Sequence, residues 1–479
     1  MARLVRILIL LAALVVPLAI WSLEDADRGL VTRDLRIGDT PATLMQPEGP
    51  GPHPLAVIAH GYAGSRQMMR SLQITLARGG MAAVTFDFHG HGRHPLPLSP
   101  DVGRVEGTTA DLVDQTVAVT REMLTQESVS APVLLAGHSM ATDVVIRAAR
   151  ETETGAVVAV SMYSDAVTAT HPARLLMVSG QWEDGLREVA LDRLRMVAPG
   201  TDEGGIAVSD EALRRAVFAP MVGHAGVLWS PTLLREAQSW AVGAGLAEST
   251  SIPRRGPWIA GLLVALVVLG RAGIGRLAAA PVQARGTIRR DWLAVAAPIL
   301  PALAVGAVWP LAPLGLLGFG KLSAMLAVWG AVQIALMRPA IRRPGPATLA
   351  LVGASLVFAL ALDRYGAAFL PVGARQMLMW QLALGGCLTA VAQAALPRWP
   401  RYVSRAALLV TLGGAMALDP TGFGLMFTIL PVTLLFWAVF ATMARPAVRA
   451  DGAVGPGVVL GLTYAWSLAA STPLFAVAG

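Results

Sequence analysis

Ser139 lies in the stretch VLLAGHSMATDVV (133–145), where four apolar residues run into Gly-His-Ser-Met-Ala and then into a helix-like segment. A serine hydroxyl is a poor nucleophile unless a base takes its proton and a preformed pair of donors holds the oxyanion its attack creates. A sharp strand-to-helix turn meets both needs, because it lifts the hydroxyl off a sheet and sets the next backbone N–H beside it at a helix N-terminus. So tight a turn requires small residues two places before and two places after the serine, and Gly137 and Ala141 hold those places. The usual pattern has glycine at the second place, so Ala141 departs from it.

Other reactive side chains recur just after apolar runs. In LAVIAHGYAGS (55–65), His60 and Gly61 end one run, where the backbone N–H of Tyr62 can join that of Met140 as an oxyanion donor. VTFDFHGHGRH (84–94) ends a second run in a Gly/His turn; His89, His91 and His94 carry no acidic metal ligand with them and read as a loop. LLMVSGQWEDG (175–185) ends a third run in a turn bearing Glu183 and Asp184, and AVFAPMVGHAGVLWSP (216–231) ends a fourth in Gly223-His224. Nucleophile, acid and base therefore follow in the order Ser, acid, His, each past the C-terminal end of an expected strand, where open parallel sheets carry their sites.

From Asp25 to about Gly245, short apolar runs alternate with amphipathic segments, the pattern of a parallel sheet covered by helices. The expected strands are 55–59, 82–86, 133–136, 156–162, 174–179 and 215–221. Ser65 is expected to cap a helix that stops at Gly79 and Gly80, and Ser230 with Pro231 reads as a cap followed by a first-turn proline. The stretch GTDEGGIAVSDEAL (200–213) is longer than a minimal connection and reads as a surface flap or a loop.

With the motifs HGYAGS, FDFHGHG, GHSMA, SGQWED and GHAGVL in place, residues 30–245 resemble the alpha/beta-hydrolase family. The resemblance implies a doubly wound, mostly parallel α/β sheet, with Ser139 as nucleophile, His224 as general base and acid, and the Tyr62 and Met140 N–H groups as oxyanion hole. It implies no cofactor and no metal. Glu183, three residues after Gly180, stands at the commonest family position for the acid; Asp184 is adjacent, and Asp165, after the preceding strand, is the alternative because some members take the acid from there. About ten residues separate the 156–162 and 174–179 strands, the place where lipases of this family often insert a lid, so the resemblance implies a lidless site suited to a small or extended ester.

The rest of the chain belongs to another solvent. Of 479 residues, 54% are hydrophobic and 14% charged, too apolar for one soluble domain. Residues 24–250 hold 18 Arg against 27 Asp and Glu, whereas the remainder holds 20 Lys and Arg against 4 Asp. That basic excess lies in short arginine clusters between apolar runs, which points to membrane topology rather than nucleic acid. The sole cysteine, Cys387, excludes an intramolecular disulfide, and a single lysine with no phosphate loop argues against a kinase or ATPase.

Arg3 and Arg6 precede the apolar segment 7–23, which reads as a retained signal anchor rather than a cleaved peptide because no small-x-small site precedes Trp21. Beyond a hinge at 249–257, apolar segments recur at 258–269, 292–309, 322–337, 347–362, 376–396, 406–418, 425–444 and 458–478, each near or extendable to the roughly 20 residues a bilayer requires. The expectation is an anchor (1–24), an α/β domain (25–248), the hinge, and an all-α membrane bundle of about eight helices (258–479). Arg3, Arg6, Arg271, Arg276, Arg285, Arg289, Arg290, Arg338, Arg342, Arg343, Arg398, Arg401, Arg405, Arg445 and Arg449 gather on one side, which the positive-inside rule assigns to the cytoplasm. The α/β domain is then exported, in a protein read as integral to a bacterial inner membrane. Trp258, Trp292, Trp309, Trp380 and Trp399 near segment ends read as interfacial anchors.

The function expected is a membrane-bound serine hydrolase acting on a small-molecule or lipid carboxylic ester, with membrane lipid as its surroundings. The rivals are a non-catalytic binding module on the same fold and the accessory domain of a transporter. The complete Ser, acid, His order argues against the first; the lack of ionisable groups at mid-depth of the apolar segments argues against the second.

Overall fold

The computed structural model describes residues 2–278, 287–308, 319–423 and 428–476. Arg285 and Trp309 lie outside the described residues. The chain forms two compact units: a sheet unit of residues 19–260 with 364–368, and a helical unit of residues 1–18, 261–363 and 369–479.

The sheet unit is built on nine strands: β1 (Leu30–Ile37), β2 (Thr40–Pro47), β3 (His53–Ala59), β4 (Ala82–Phe86), β5 (Val129–His138), β6 (Thr154–Val160), β7 (Arg174–Gly180), β8 (Ile206–Val208) and β9 (Leu213–Ala219). Their spatial order is β1-β2-β4-β3-β5-β6-β7-β9-β8. The strands from β4 to β9 run parallel, while β1, β2 and β8 pair antiparallel at the two edges. Val57, Ile58, Leu134, Leu135, Val157, Val158, Leu175 and Leu176 are fully buried, as strands covered on both faces demand, and this is why they read as unbroken apolar runs.

Two features depart from the sequence expectation. The β1–β2 hairpin was not expected: LVTRDLRI is exposed along most of its length and has no inner apolar run to betray it. The 200–213 stretch is neither a free flap nor a plain loop, since it carries the edge strand β8 in a hairpin with β9.

In chain order the helices are α1 (Ala2–Asp25), α2 (Arg70–Arg78), α3 (Ala110–Leu124), α4 (Met140–Ala148), α5 (Asp184–Arg195) and α6 (Pro231–Gly243). Ser230 caps α6 through a hydrogen bond from the Leu233 N–H at 3.1 Å. Ser65 does not act as expected: a short 3-10 turn, Arg66–Met69, precedes α2, and the Ser65 hydroxyl caps neither element.

The remaining helices are α7 (Arg255–Leu277), α8 (Ile288–Ala296), α9 (Ile299–Val308), α10 (Phe319–Met337), α11 (Pro346–Tyr365), α12 (Ala374–Ala395), α13 (Arg398–Leu418), α14 (Pro420–Phe423), α15 (Ile429–Met443), α16 (Arg445–Asp451) and α17 (Val454–Ser471). Among the described residues, seven helical stretches are long and apolar enough to cross a membrane, α1, α7, the consecutive α8 and α9 taken as one, α10, α11, α12 and α17, or eight if the bent pair α15–α16 counts as one span. α13 is not one of them, although 406–418 was expected to cross: the helix starts earlier, at Arg398, and its first two turns carry Arg398, Arg401 and Arg405. Leu300, Leu349, Trp380, Leu384, Val410 and Leu435 are exposed, an outward apolar surface that suits lipid. α7 begins at Arg255, inside the expected hinge.

Candidate active site

β5 delivers Ser139. Its last residue is His138 and α4 begins at Met140, so the chain reverses within one residue, which takes φ +54° and ψ −119°. A non-glycine residue in that region costs about 1–3 kcal/mol, and here several contacts impose it. The Ser139 N–H donates to the Val160 carbonyl at 2.8 Å, and the Thr142 hydroxyl donates to the Ser139 carbonyl at 2.7 Å. A Cβ on Gly137 would meet the Ala141 carbonyl oxygen at 2.4 Å, so glycine is required there. Ala141 fits, fully buried, in place of the usual glycine.

β9 and β7 deliver the partners. His224 Nε2 lies 2.9 Å from Ser139 Oγ, and His224 Nδ1 lies 2.6 Å from Glu183 Oε1. A carboxylate only accepts, so Nδ1 carries the hydrogen and Nε2 faces the serine with its lone pair. The Glu183 side chain is 5% exposed and that of His224 is 50% exposed, so the carboxylate is shielded while the imidazole opens to solvent. Burial alone would raise the Glu183 carboxyl, but hydrogen bonds from His224, the Gly180 N–H at 2.5 Å and the Ser161 hydroxyl at 2.8 Å outweigh it and hold the group below its ordinary value. Gly180 also permits the approach of the two loops: a Cβ there would meet the Val222 carbonyl oxygen at 2.6 Å and Gly223 Cα at 3.0 Å.

The other two carboxylates point elsewhere. Asp184, the first residue of α5, pairs with Arg187 at 3.2 Å, and Asp165 pairs with Arg147 of α4 at 2.6 Å; both are highly exposed. The structure thus brings Ser139, His224 and Glu183 together and leaves Asp184 and Asp165 outside.

Tyr62 and Met140 flank the serine. The Met140 N–H is the first of α4, directed along the helix N-terminus. The loop bearing Tyr62 packs on the nucleophile through Gly61, where a Cβ would fall 3.0 Å from Ser139 Cβ and 2.9 Å from the His138 carbonyl oxygen. Behind that loop a buried ion pair holds Arg66 to Asp87, whose carboxylate also accepts the Arg66 N–H at 2.8 Å and the Arg93 N–H at 3.0 Å. His60 links the loop to the FDFHGHG turn by accepting the Phe88 N–H at Nε2, 3.1 Å, which leaves Nδ1 to donate to the Gly61 carbonyl at 2.8 Å.

Three contributors escaped the sequence reading. Ser161, at φ +53° directly after β6, donates to Glu183; only its position past a strand end hinted at this. The Gly180 N–H does the same from the backbone, without a side-chain signal. His138, the variable place in Gly-x-Ser, donates from Nε2 to the His224 carbonyl at 2.9 Å. In the Gly/His turn, His91 Nδ1 donates to the His89 carbonyl and His94 Nδ1 accepts the Leu96 N–H, so the turn is self-bonded. Among the described residues no group of three or more potential ligands is placed to hold a metal.

Residues 50–193 match the family model described as serine aminopeptidase, S33. Among solved structures, the dienelactone hydrolase from Anabaena variabilis is similar at 17% identity, over 45% of this chain and 99% of that chain, with a TM-score of 0.34. XC6422 from Xanthomonas campestris, described as a member of a/b serine hydrolase without lid, is 20% identical over 46% of this chain and 96% of that chain, with a TM-score of 0.34. TT1662 from Thermus thermophilus is 19% identical over 45% and 98%, with a TM-score of 0.33. No curated protein matches. The mostly parallel sheet with antiparallel β2 beside it, the turn at Ser139 and the matched family model lead to one assignment: the chain carries an alpha/beta-hydrolase domain, followed by an all-helical region with several apolar helices.

Proposed function

We propose that the chain is a membrane-bound serine hydrolase that cleaves carboxylic esters, lipid esters among them, through an acyl-enzyme on Ser139. The observation that carries this reading is the relay from Ser139 Oγ to His224 to Glu183, at 2.9 and 2.6 Å. His224 Nε2 takes the hydroxyl proton as Ser139 Oγ bonds to the ester carbon, and Glu183 stabilises the imidazolium that forms. The tetrahedral oxyanion is held by the Tyr62 and Met140 N–H groups. His224 then returns the proton to the departing alkoxide, the C–O bond breaks, and a water activated by the same imidazole hydrolyses the acyl-serine.

Exposed Tyr163, Trp182 and Met221 stand on the loops after β6, β7 and β9 that also carry Ser161, Glu183 and His224, a rim suited to an apolar acyl chain. Arg3 and Arg6 at the N-terminal end of α1 support an orientation with the catalytic domain on the exported side of a bacterial inner membrane. An amide is the second reading, favoured by the aminopeptidase description of the matched family model.

The test is labelling of intact membranes with a fluorophosphonate probe in wild type, Ser139→Ala and His224→Ala. Labelling lost in both variants supports an activated serine, and turnover of p-nitrophenyl esters against aminoacyl p-nitroanilides then separates ester from amide. A folded wild type that does not label points instead to a binding module.

A further inference from the structure

Within the helical unit, α12, α13, α15, α16 and α17 line a narrow cleft that opens to the surroundings. Its lining combines Arg401, Arg405, Arg445 and Gln393 with apolar side chains including Leu408, Phe436 and Leu460. Arginine at a membrane boundary is ordinary, but these three converge on one cleft and none meets a carboxylate among the described residues. Arg401 donates to the Ala394 and Leu396 carbonyls, Arg405 to Gln393 Oε1 while lying over the Trp437 ring, and Arg445 to the Tyr402 hydroxyl. Three acids of the unit are engaged elsewhere: Asp451 with Thr348, Asp419 with Lys321, and Asp363 with the Phe369 and Leu370 N–H groups.

A second observation sits beside the charges. Gln393 is 4% exposed, its Oε1 is taken by Arg405, and its Nε2 has no hydrogen-bond partner; the same holds for the buried Nε of Arg401. Unsatisfied donors in a buried site are costly, and a site that offers only donors is complementary to an oxyanion. Arg401 also lies in the first turn of α13, where the helix dipole disfavours cations and favours an anion.

We propose that this cleft binds a phosphate group, carried by an anionic lipid whose chain lies along Leu408, Phe436 and Leu460, or by a free phosphate. The guanidiniums of Arg401, Arg405 and Arg445 hold the phosphate oxygens, and Gln393 Nε2 supplies a neutral donor. The inference is independent of the chemistry at Ser139.

The test is native mass spectrometry of the full-length chain in detergent, in a Ser139→Ala background so that no added ester is cut. The probes are dioleoylphosphatidylglycerol, the phosphate-free dioleoylglycerol and inorganic phosphate. The phosphoglycerol lipid is expected to be retained at least about tenfold more tightly than dioleoylglycerol, and Arg401→Gln/Arg405→Gln to weaken it about tenfold. Arg398→Gln/Arg449→Gln removes the same charge from exposed positions and is expected to change retention less than about twofold. Gln393→Leu weakens binding without altering charge, and serves if the double variant does not fold. Displacement by inorganic phosphate marks the free anion as a ligand, and retention in its presence marks the lipid. Equal retention of dioleoylglycerol, equal weakening in both double variants, or retention of neither lipid nor phosphate by wild type overturns the proposal.

Discussion

His138, the residue immediately before Ser139, donates from Nε2 to the backbone carbonyl of His224 at 2.9 Å. The strand that presents the nucleophile is thereby tied to the loop that presents the base, independently of the bond between their reactive atoms. His138→Ala should lower kcat about 10- to 100-fold with little change in KM, since the base loses its positional tether while the acyl pocket is intact. Steady-state kinetics on a p-nitrophenyl ester checks this; an unchanged kcat would remove His138 from any positioning role.

Glu183 alone of the three carboxylates contacts His224. Glu183→Gln should reduce kcat/KM by about 10³–10⁴, because the amide cannot stabilise the imidazolium and can favour the wrong tautomer. Asp184→Asn and Asp165→Asn should stay within about twofold of wild type, since each exchanges only an exposed ion pair. Kinetics of the three variants side by side decides the assignment.

The turn around Ser139 is asymmetric in its tolerance. Gly137→Val should abolish accumulation of folded protein, since even the first carbon would lie 2.4 Å from the Ala141 carbonyl oxygen. Ala141→Gly restores the usual residue and should keep activity within about twofold, at roughly 1 kcal/mol of stability for glycine inside a helix. Expression level, thermal unfolding and probe labelling of each variant are the measurements.

Burial, reinforced by the neighbouring His224, pushes the His138 imidazole down to about 4 from an ordinary 6.5. Between those pH values the unfolded chain binds a proton that the folded chain refuses, so stability falls as pH falls through this window, by at most about 3 kcal/mol from this group. Glu183, held below its ordinary value, acts in the same direction at lower pH. Pulse proteolysis of the full-length chain from pH 7 to 4.5 should show this loss in residues 25–248. His138→Asn, which cannot titrate, should flatten the part of the curve above pH 4.5.

The sequence revealed what is written in contiguous patterns. Apolar runs with both faces buried marked the central strands, and Gly137 with Ala141 marked the turn, because sterics there admit few residues. Glu183 and Asp184 could not be separated by reading, because they differ by one backbone step: Glu183 precedes α5 with φ −115° and ψ 56°, while Asp184 is already the first residue of the helix. Ser161 acts from the end of β6 on a carboxylate past β7, so its role depends on register rather than spacing, whereas the Gly180 N–H acts locally, three residues before Glu183, through a backbone group that carries no side-chain signal. β1 was hidden because an edge strand with most side chains exposed lacks alternation, and the start of α13 ahead of residue 406 because Arg401 and Arg405 lie within the helix and line a cleft instead of ending a span.

The chain order of the triad carries a temporal consequence. Ser139 leaves β5, Glu183 leaves β7, and His224 follows β9, which pairs in parallel with β7. A growing polypeptide that has emerged only through residue 200 holds Ser139 and Glu183 but not His224, which joins them in the folded chain. Parallel pairing of distant segments is also a slow step of folding. On the proposed mechanism, reactivity at Ser139 switches on late in biogenesis, and a ribosome-released fragment ending before Gly223 is inert however well β3 to β7 have formed.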